Sequence, residues 1–306
     1  MSTETRYTRT RLTVPLPPFS ALWAFSRPHT IIGTTVSVFA LYAIALANGI
    51  DRGALDLLAT LAAAWAVNVA IVGINQVEDV EIDRINKPDL PLAAGTLTIA
   101  AGQALSWGAA LFAVGLALSQ GTIEFAAVSA ALVVGFSYSL PPLRLKGYPV
   151  LALASISLVR ALAVNLGVYG HFSGSLASVP DAVWALTAFS LPFGAAIALL
   201  KDVPDIEGDR AFRISTFSVR LGARAVARTA IVLLAASYIA MAAMGLVLAG
   251  VDAVIFSGGH LIALVALLLM ARGARPEDPR AFKRFYMQVW MLFFFEYVLV
   301  AAAVVL

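Results

Sequence analysis

The sequence contains no cysteine among its 306 residues. Disulfide bonds, thiol nucleophiles and cysteine-ligated metal sites are therefore excluded. Charged residues are also scarce, at 13% of the chain, and only three histidines are present. A soluble domain carries about 25% charged residues, so this composition is not that of a soluble protein. No motif typical of nucleic-acid binding is present, and we expect no nucleic-acid partner.

Apolar residues are abundant instead, at 60% of the chain, and the mean hydropathy is +0.88. They gather into runs of roughly 20 residues, the length that an α-helix needs to cross a lipid bilayer. The sequence therefore predicts an all-α polytopic membrane protein with nine transmembrane helices. These spans are predicted at residues 30–49, 54–77, 97–118, 122–141, 149–170, 181–200, 225–249, 253–271 and 286–306.

The basic residues indicate the orientation of the chain. With nine spans, all but two of the 21 lysines and arginines fall on the side of the N-terminus, the exceptions being Arg52 and Arg160. The positive-inside rule then places the N-terminus and this side in the cytoplasm. The polar residues 1–20 are predicted to be a flexible cytoplasmic tail, and 21–306 a single nine-helix domain. A short interfacial helix is expected at 20–30, before the first span.

The most informative stretch is 75–95, which directly follows the apolar run at 54–74. Asn75, Asp79 and Asp83 recur there at intervals of four residues, and this spacing keeps them on one face of an α-helix. Carboxylate and amide oxygens at the end of a membrane helix suit Mg²⁺, which binds carboxylates, water and phosphates. The stretch is therefore a candidate metal site.

A second acidic stretch, 201–210, follows the sixth predicted span and carries Asp202, Asp205 and Asp209. Both acidic stretches follow even-numbered spans, so they fall on the same face of the membrane. An ordinary pair of solvated loops is the rival interpretation. Two sets of carboxylates at four-residue spacing favour one shared metal site with the chain folded between them.

Basic residues and hydroxyl groups lie on the same predicted face. The loop after the fourth span begins with Tyr138 and Ser139, passes through two prolines, and continues to Arg144 and Lys146. Opposite two acidic stretches, these cations are placed to neutralise diphosphate oxygens that metal ions leave uncovered. A plain positive-inside anchor is the alternative for this loop. Further candidates for diphosphate binding are Arg27, Lys201 and Arg210.

Polar residues inside the predicted spans are few and therefore informative. Asn68 lies about two turns deeper than Asn75 on the same face, where it lines a cavity or forms an interhelical hydrogen bond. Arg160 and Glu296 lie at similar depths, so that they form either a structural ion pair or a polar lining for a substrate head group. Asn165 lies further along the fifth span.

The motifs together resemble the UbiA family of membrane prenyltransferases, and most closely its homogentisate prenyltransferase branch, which includes the homogentisate phytyltransferases. The similarity extends over essentially the whole chain from about Trp23 onward. It is carried by RPHTIIGT at 27–34, NQ, DxxxD, NKP and LPLA within 75–93, YS, PP and RLK within 138–146, KDVPD and EGD within 201–209, Arg160 with NLG at 165–167, and Phe294 with EY at 296–297.

The resemblance implies nine helices around a central, water-poor cavity in a bacterial inner membrane or a cyanobacterial membrane, with the active site on the cytoplasmic side. It implies Mg²⁺-dependent transfer of a phytyl or geranylgeranyl chain from a prenyl diphosphate to homogentisate, with loss of CO₂, giving a 2-methyl-6-phytyl-benzoquinol tocopherol precursor. The catalytic metal ligands implied by the resemblance are Asp79, Asp83, Asp205 and Asp209, with Asn75 assisting.

Two other functions are compatible with the acidic motifs. A chlorophyll synthase or a quinone-type prenyltransferase would use the same motifs with another acceptor or another prenyl donor. A divalent-cation transporter is the alternative from a different class. A transporter predicts acidic residues along a continuous transmembrane path, whereas the carboxylates here concentrate at one face, with Glu296 alone deep inside. This distribution favours an enzyme.

Overall fold

The computed structural model describes residues 18–306, and within this range the regular structure is entirely helical. Most of the predicted tail at 1–20 lies outside the described residues. The short helix expected at 20–30 is present as Phe19–Phe25, and it ends before the first span. Pro28 occupies the first turn of that span, where a missing backbone N–H has no hydrogen-bonding cost.

Nine helices in the described part of the chain are long and apolar enough to cross a membrane, as the sequence predicts. The largest boundary difference is in the ninth span, which begins seven residues before the predicted start at 286. Its first turns carry Arg280 and Lys283, which are charged but helix-compatible, and the Asp278 side chain caps it by accepting the Arg280 N–H at 3.0 Å. The nine spans are Pro28–Ala47, Gly53–Glu78, Ile99–Gln120, Thr122–Ser139, Pro149–Ser173, Asp181–Lys201, Ala223–Met244, Ala253–Ala271 and Pro279–Val305.

The sixth and ninth spans form the centre of the bundle. Phe193 of the sixth span and Phe293 of the ninth are both buried, with ring centroids 5.5 Å apart. The second and third spans approach each other through alanines, among them the fully buried Ala63 and Ala113. Small residues at this contact let the two backbones come close, as is usual between membrane helices. Large apolar side chains such as Leu111 remain exposed on the outside, where a bilayer is their solvent.

The fifth span changes its helix type in the middle of the bundle. It runs as an α-helix over Pro149–Leu158, as a π-helix over Val159–Gly167, and again as an α-helix over Val168–Ser173. On an α-helix, Arg160 and Asn165 would lie roughly 140° apart around the axis, whereas the roughly 4.4 residues per turn of a π-helix reduce this to about 50°. The π segment therefore brings two intramembrane polar side chains to one side of the span.

The first acidic motif contains a break that the sequence did not predict. The second span ends at Glu78, Asp79 has a non-helical conformation, and a separate helix covers Val80–Asn86. The predicted continuous helix is therefore wrong at this point. Backbone hydrogen bonds still follow the four-residue spacing, since the Asp83 N–H donates to the Asp79 carbonyl at 2.7 Å. The three polar side chains of the motif consequently stay close together.

Candidate active site

One side chain, Asn86, joins the two acidic segments at one end of the bundle. Its amide nitrogen donates to the backbone carbonyl of Asp205 at 3.0 Å, and its amide oxygen accepts the Gly208 N–H at 2.9 Å. A Cβ atom at position 208 would lie 2.5 Å from the Asn86 side chain, so only glycine permits this approach. The structure thus brings together the two segments that the sequence predicts to share a site.

Lysines from neighbouring elements pair with the carboxylates of both segments. Lys146, which is buried, donates to the Asp79 carboxylate, and Arg144 lies 3.9 Å from the same oxygen. Lys87 lies 2.5 Å from Asp205 and 3.8 Å from Asp83, so it bridges the first and second segments. Every one of these ion pairs joins an acidic motif to a cation that the diphosphate of a substrate would also attract.

Three carboxylates of this cluster, those of Asp83, Asp205 and Asp209, are buried, and their charges are incompletely balanced. Burial raises the pKa of Asp83 to about 6, against the opposing effect of Lys87 and Arg27. Burial, followed by the nearby carboxylates of Asp205 and Asp202, raises the pKa of Asp209 to about 7. The pKa of Asp202 is likewise raised by burial. Such a cluster favours the approach of additional positive charge.

The donor set of these segments fits a hard divalent cation. Asp205 Oδ1 is buried and has no hydrogen-bond partner among residues 18–306, and the remaining candidate ligands are carboxylate and amide oxygens. Asn75 donates its amide N–H to Asp79 at 2.9 Å, which leaves its amide oxygen available as a ligand. Within 18–306, no three acidic or histidine side chains converge closely enough to enclose an ion as they stand. The lysine ammonium groups instead supply the positive charge beside these carboxylates.

Most of the predicted diphosphate-binding residues surround the same cluster. Lys201 lies 2.7 Å from Asp202 and 3.1 Å from the Tyr138 hydroxyl, and the Ser139 hydroxyl accepts a hydrogen bond from Asn75 at 3.3 Å. Arg27 has a left-handed backbone conformation, with φ of 53°, and its buried Nε has no hydrogen-bond partner among the residues that the structure describes. These side chains provide cations and hydroxyl donors directly beside the acidic segments.

Arg210 is directed away from this cluster. It is exposed and lines a pocket of about 670 Å³ together with Pro204, Glu207 and Phe282. The helix Ile206–Ala211 turns its inner side, with Gly208 and Asp209, toward the acidic cluster. The sequence spacing therefore did not distinguish the two sides of this short helix, and the structure does not bring Arg210 to the other candidate ligands.

Sequence reasoning missed two residues that organise the cluster. Asn86 and Lys87 entered only as parts of a family-like string, yet Asn86 joins the segments and Lys87 pairs with carboxylates in both. The available signal was the position of Lys87 four residues after Asp83, which places an opposite charge on the same side of a helix. The contact with Asp205 spans 118 residues of sequence, so spacing alone could not indicate it.

Deeper in the bundle, the suggested pairing of Arg160 with Glu296 is absent from the described residues. Glu296 lies 3.0 Å from His260 Nε2, and both side chains are fully buried. The other ring nitrogen of His260 donates to the Phe256 carbonyl at 2.6 Å. Both Arg160 and Glu296 are intramembrane polar residues, but the partner of Glu296 is a histidine of the eighth span and not Arg160.

Arg160 has aromatic neighbours instead of an anionic partner. Its guanidinium lies 4.8 Å from the ring centre of Trp290 and 4.7 Å from that of Phe293. The side chain is half-buried, its Nε has no hydrogen-bond partner, and it forms no ion pair with any carboxylate in the part of the chain that the structure describes. A cation held in this way attracts an anionic group of a ligand, since a buried charge is stable only when it is compensated.

The two predicted intramembrane asparagines are engaged in interhelical hydrogen bonds. Asn68 donates to Thr30 at 2.9 Å, which realises the second of the two roles considered for it. Asn165 accepts the Tyr297 hydroxyl at 2.6 Å and donates to Ser190 at 3.0 Å, and all three residues are fully buried. Asn165 therefore fixes the fifth, sixth and ninth spans beside Arg160.

The sequence matches the UbiA prenyltransferase family over residues 36–292. The chain belongs to the UbiA prenyltransferase family. The family resemblance of the motifs is confirmed, and the nine long apolar helices within residues 18–306 make the protein an integral membrane protein.

Relatives of this UbiA family member include a homogentisate phytyltransferase from Synechocystis sp., which is 41% identical over 91% of this chain and 94% of its own length. A homogentisate geranylgeranyltransferase from Triticum aestivum is 35% identical over 92% of this chain and 71% of its own. Among solved structures, a UbiA homolog from Archaeoglobus fulgidus bound to GPP and Mg²⁺ has a TM-score of 0.65 at 19% identity, covering 92% of this chain and 99% of that chain. The structural likeness establishes the shared fold.

Proposed function

We propose that this protein is a homogentisate prenyltransferase that moves a prenyl chain from a prenyl diphosphate to homogentisate. The observation that carries the proposal is the pair of acidic segments joined by Asn86 in the same bundle as an arginine, Arg160, that lacks an anionic partner among residues 18–306. The acidic segments suit a metal-bound diphosphate, and the surroundings of Arg160 suit an aromatic acid. The relatives named for homogentisate transfer cover more than nine-tenths of this chain, which supports this choice of acceptor.

The acidic cluster would bind the diphosphate of the prenyl donor through Mg²⁺. Bound there, Mg²⁺ would neutralise the negative charge that develops on the departing diphosphate. Around it, Lys146, Lys201 and Arg27 supply cations for the diphosphate oxygens, and the Tyr138 and Ser139 hydroxyls add hydrogen-bond donors. The Mg²⁺ and GPP named for the Archaeoglobus fulgidus homolog support this assignment. The proposed metal ligands are Asp79, Asp83, Asp205 and Asp209, with Asn75 assisting.

Arg160 would bind the carboxylate of homogentisate. The rings of Trp290 and Phe293 flank its guanidinium, so an aromatic acid would find both a cation and aromatic surfaces there. The hydrogen-bonded side chains of Tyr297 and Asn165 lie beside Arg160. Because the carboxylate loses its hydration when it enters the bundle, its pairing with Arg160 is the contact that compensates this loss.

The reaction breaks the bond between the allylic carbon of the donor and its diphosphate oxygen, and diphosphate leaves with the bonding electrons. A ring carbon of homogentisate forms the new carbon–carbon bond and then loses its proton. The acetate side chain releases CO₂, and a proton on the remaining carbon completes a methyl group. Exclusion of water between the helices protects the allylic cation from hydrolysis.

We further propose that the acidic cluster faces the cytoplasm and that the N-terminus lies on the same side. The support is the distribution of lysine and arginine, since Arg52 is the only one placed in a predicted outer loop. A bacterial inner membrane or a cyanobacterial membrane is the corresponding location. For the donor, phytyl diphosphate is proposed before geranylgeranyl diphosphate, on the basis of the more similar Synechocystis relative.

The proposal is tested by incubating the purified protein with homogentisate, Mg²⁺ and either phytyl or geranylgeranyl diphosphate, and identifying the products by mass. We expect a decarboxylated, monoprenylated quinol, a larger yield with the phytyl donor, and no product in excess chelator. Parallel reactions with 4-hydroxybenzoate and chlorophyllide test the quinone-type and chlorophyll-synthase alternatives. Product from one of those acceptors and none from homogentisate would reject the proposed acceptor.

A further inference from the structure

Each acidic segment has a lysine on a central carboxylate, and each lysine comes from outside the segment it neutralises. Lys146, from the turn Leu145–Gly147 that follows the fourth span, contacts Asp79 of the first segment. Lys87, which follows the helix of the first segment, contacts Asp205 of the second at 2.5 Å. Both contacts therefore cross between elements that are distant in the sequence.

These contacts compete with binding of a divalent cation. A Mg²⁺–oxygen distance is about 2.1 Å, and an ammonium group hydrogen-bonded to the same carboxylate would lie within roughly 4 Å of the ion. Two positive charges at that separation repel each other strongly in a partly buried site. Lys146 is buried, and the Asp205 side chain is only 11% exposed, so solvent screens this repulsion poorly.

The contact with Lys87 engages only one of the two carboxylate oxygens of Asp205. Asp205 Oδ1 is buried and has no hydrogen-bond partner in the described part of the chain, while Oδ2 contacts Lys87. A carboxylate committed to a permanent structural pair normally satisfies both oxygens when it is buried. Here one oxygen has no hydrogen bond from any residue of 18–306, and the other is held by a lysine whose side chain is one-third exposed and can move.

We propose that Lys87 and Lys146 are exchangeable counter-ions of the acidic cluster. In the ligand-free protein they neutralise Asp205 and Asp79 and oppose the binding of a divalent cation by itself. When the cation arrives with a diphosphate, each ammonium leaves its carboxylate and pairs with a diphosphate oxygen. The inference rests on the proposed function. It assigns Lys87, which is not among the diphosphate-binding residues predicted from the sequence, to diphosphate binding.

The proposal has a signature that a structural lysine does not have. Removal of an exchangeable lysine strengthens the binding of a divalent cation to the ligand-free protein, because a competitor is gone. The same removal weakens the binding of diphosphate, because a partner is gone. A lysine that merely holds the carboxylates in place would weaken both when it is removed.

The experiment measures Mn²⁺ binding to purified full-length protein by the electron paramagnetic resonance of free Mn²⁺, since Mn²⁺ uses the same hard oxygen ligands as Mg²⁺. Without pyrophosphate, we expect Lys87→Met and Lys146→Met to bind Mn²⁺ about five- to tenfold more tightly than the unaltered protein. With Mn²⁺ present, calorimetry should show pyrophosphate binding weakened about tenfold in each variant. Lys283→Met removes an exposed lysine on the same side of the bundle and should change neither affinity.

Charge-retaining and fold-preserving variants complete the test. Lys87→Arg should keep the weak Mn²⁺ binding of the unaltered protein, and Lys87→Gln replaces Lys87→Met if the latter does not yield monodisperse protein. Weaker or unchanged Mn²⁺ binding in the lysine variants would overturn the proposal. Asp205→Asn separates this failure from that of the proposed function. If Mn²⁺ with pyrophosphate binds the unaltered protein and Asp205→Asn equally, the acidic cluster is not the metal site and both proposals are rejected.

Discussion

The two ends of the bundle both contain charged clusters, and they differ in how those charges are satisfied. At the end opposite the acidic segments, Arg52 donates to the backbone carbonyl of Phe172 at 2.9 Å, and His171 lies 3.1 Å from Asp56. These contacts tie the start of the second span to the end of the fifth. Here the arginine is engaged with main-chain acceptors, which cannot move without unfolding a helix end.

At the acidic end, cations and carboxylates pair with each other through side chains. Lys87, Lys146 and Lys201 all contact carboxylates, while Asp205 Oδ1 has no hydrogen-bond partner within 18–306. The pKa of Asp209 is raised to about 7, chiefly by burial. Residue type alone therefore does not separate a structural cluster from a ligand-binding one. At the opposite end the arginine is held by backbone carbonyls. At the acidic end the lysines are held by side chains, which a ligand can displace without unfolding a helix end.

The largest effect should follow substitution of the central carboxylates. Asp79→Asn and Asp205→Asn each remove a proposed metal ligand, and we expect turnover to fall by at least about 1,000-fold in each, with the double variant little worse because groups that act as a unit are not additive. Steady-state product formation measures this. Asp89→Asn is the control, because Asp89 is an exposed carboxylate of the first acidic stretch, 75–95, and this variant should retain activity. Substantial turnover in either single variant would contradict a shared site.

The second effect concerns Arg160 and the acceptor. We expect Arg160→Leu to weaken homogentisate binding roughly 100-fold, because an acid would then lose its buried partner. Binding of phytyl diphosphate with Mg²⁺ should be unchanged, and Arg160→Lys should recover part of the affinity. Separate titrations of the two ligands measure this.

A quinol that lacks the carboxylate, 2,5-dihydroxytoluene, is the matched ligand for Arg160→Leu. It should bind the variant and the unaltered protein equally, since it has no anion to lose. Loss of diphosphate binding with intact homogentisate binding would instead assign Arg160 to the leaving group. A lowered melting temperature with no change in either affinity would make the arginine structural.

A smaller effect is expected for Asn86, which joins the two acidic segments. Asn86→Ala removes both hydrogen bonds to the second segment, so the two sets of ligands lose their fixed separation. We expect kcat to fall about 10- to 100-fold, because small misplacements of catalytic groups are costly to the rate. Asn48→Ala, which removes an asparagine bonded to the Ile44 carbonyl at the opposite end, should leave kcat unchanged. Equal effects of the two substitutions would contradict a specific role for Asn86.

The smallest effect on catalysis is expected at the opposite end of the bundle. Asp56→Asn weakens the contact with the buried His171 and should lower the free energy of unfolding by about 1 kcal/mol. Thermal unfolding in detergent should show a decrease of about 2 °C in Tm. Turnover per folded molecule should stay the same, and a loss of turnover would show that this end also contributes to the reaction.

The spans and the acidic motifs were predictable because each depends on residues close together in the sequence. Runs of about 20 apolar residues define a membrane helix, and a four-residue spacing such as that of Asp79 and Asp83 defines one side of it. The contacts of Lys87 and of Arg160 were harder to predict, for different reasons. The contact of Lys87 with Asp205 depends on the packing of distant loops, which no local pattern encodes.

The neighbours of Arg160 could not be predicted, because the sequence indicates only how deep in the membrane each residue lies. Arg160 and Glu296 lie at similar depth, yet the rotation of each helix decides which side chains meet, and His260 on the eighth span meets Glu296 instead. The π segment Val159–Gly167 adds a further rotation, and its sequence gives no sign of the change in hydrogen bonding. Such rotations follow from tertiary packing, so the structure was needed to define them.

The His260–Glu296 pair has a consequence for the electric field inside the bundle. Because His260 Nδ1 donates to the Phe256 carbonyl, the 3.0 Å contact between Nε2 and the carboxylate requires a proton between them. Whichever group holds that proton, the pair has no net charge, and it cannot cancel the charge of Arg160. The membrane interior therefore keeps a positive electrostatic potential around Arg160, which repels metal cations and draws anions inward from the charged end of the bundle.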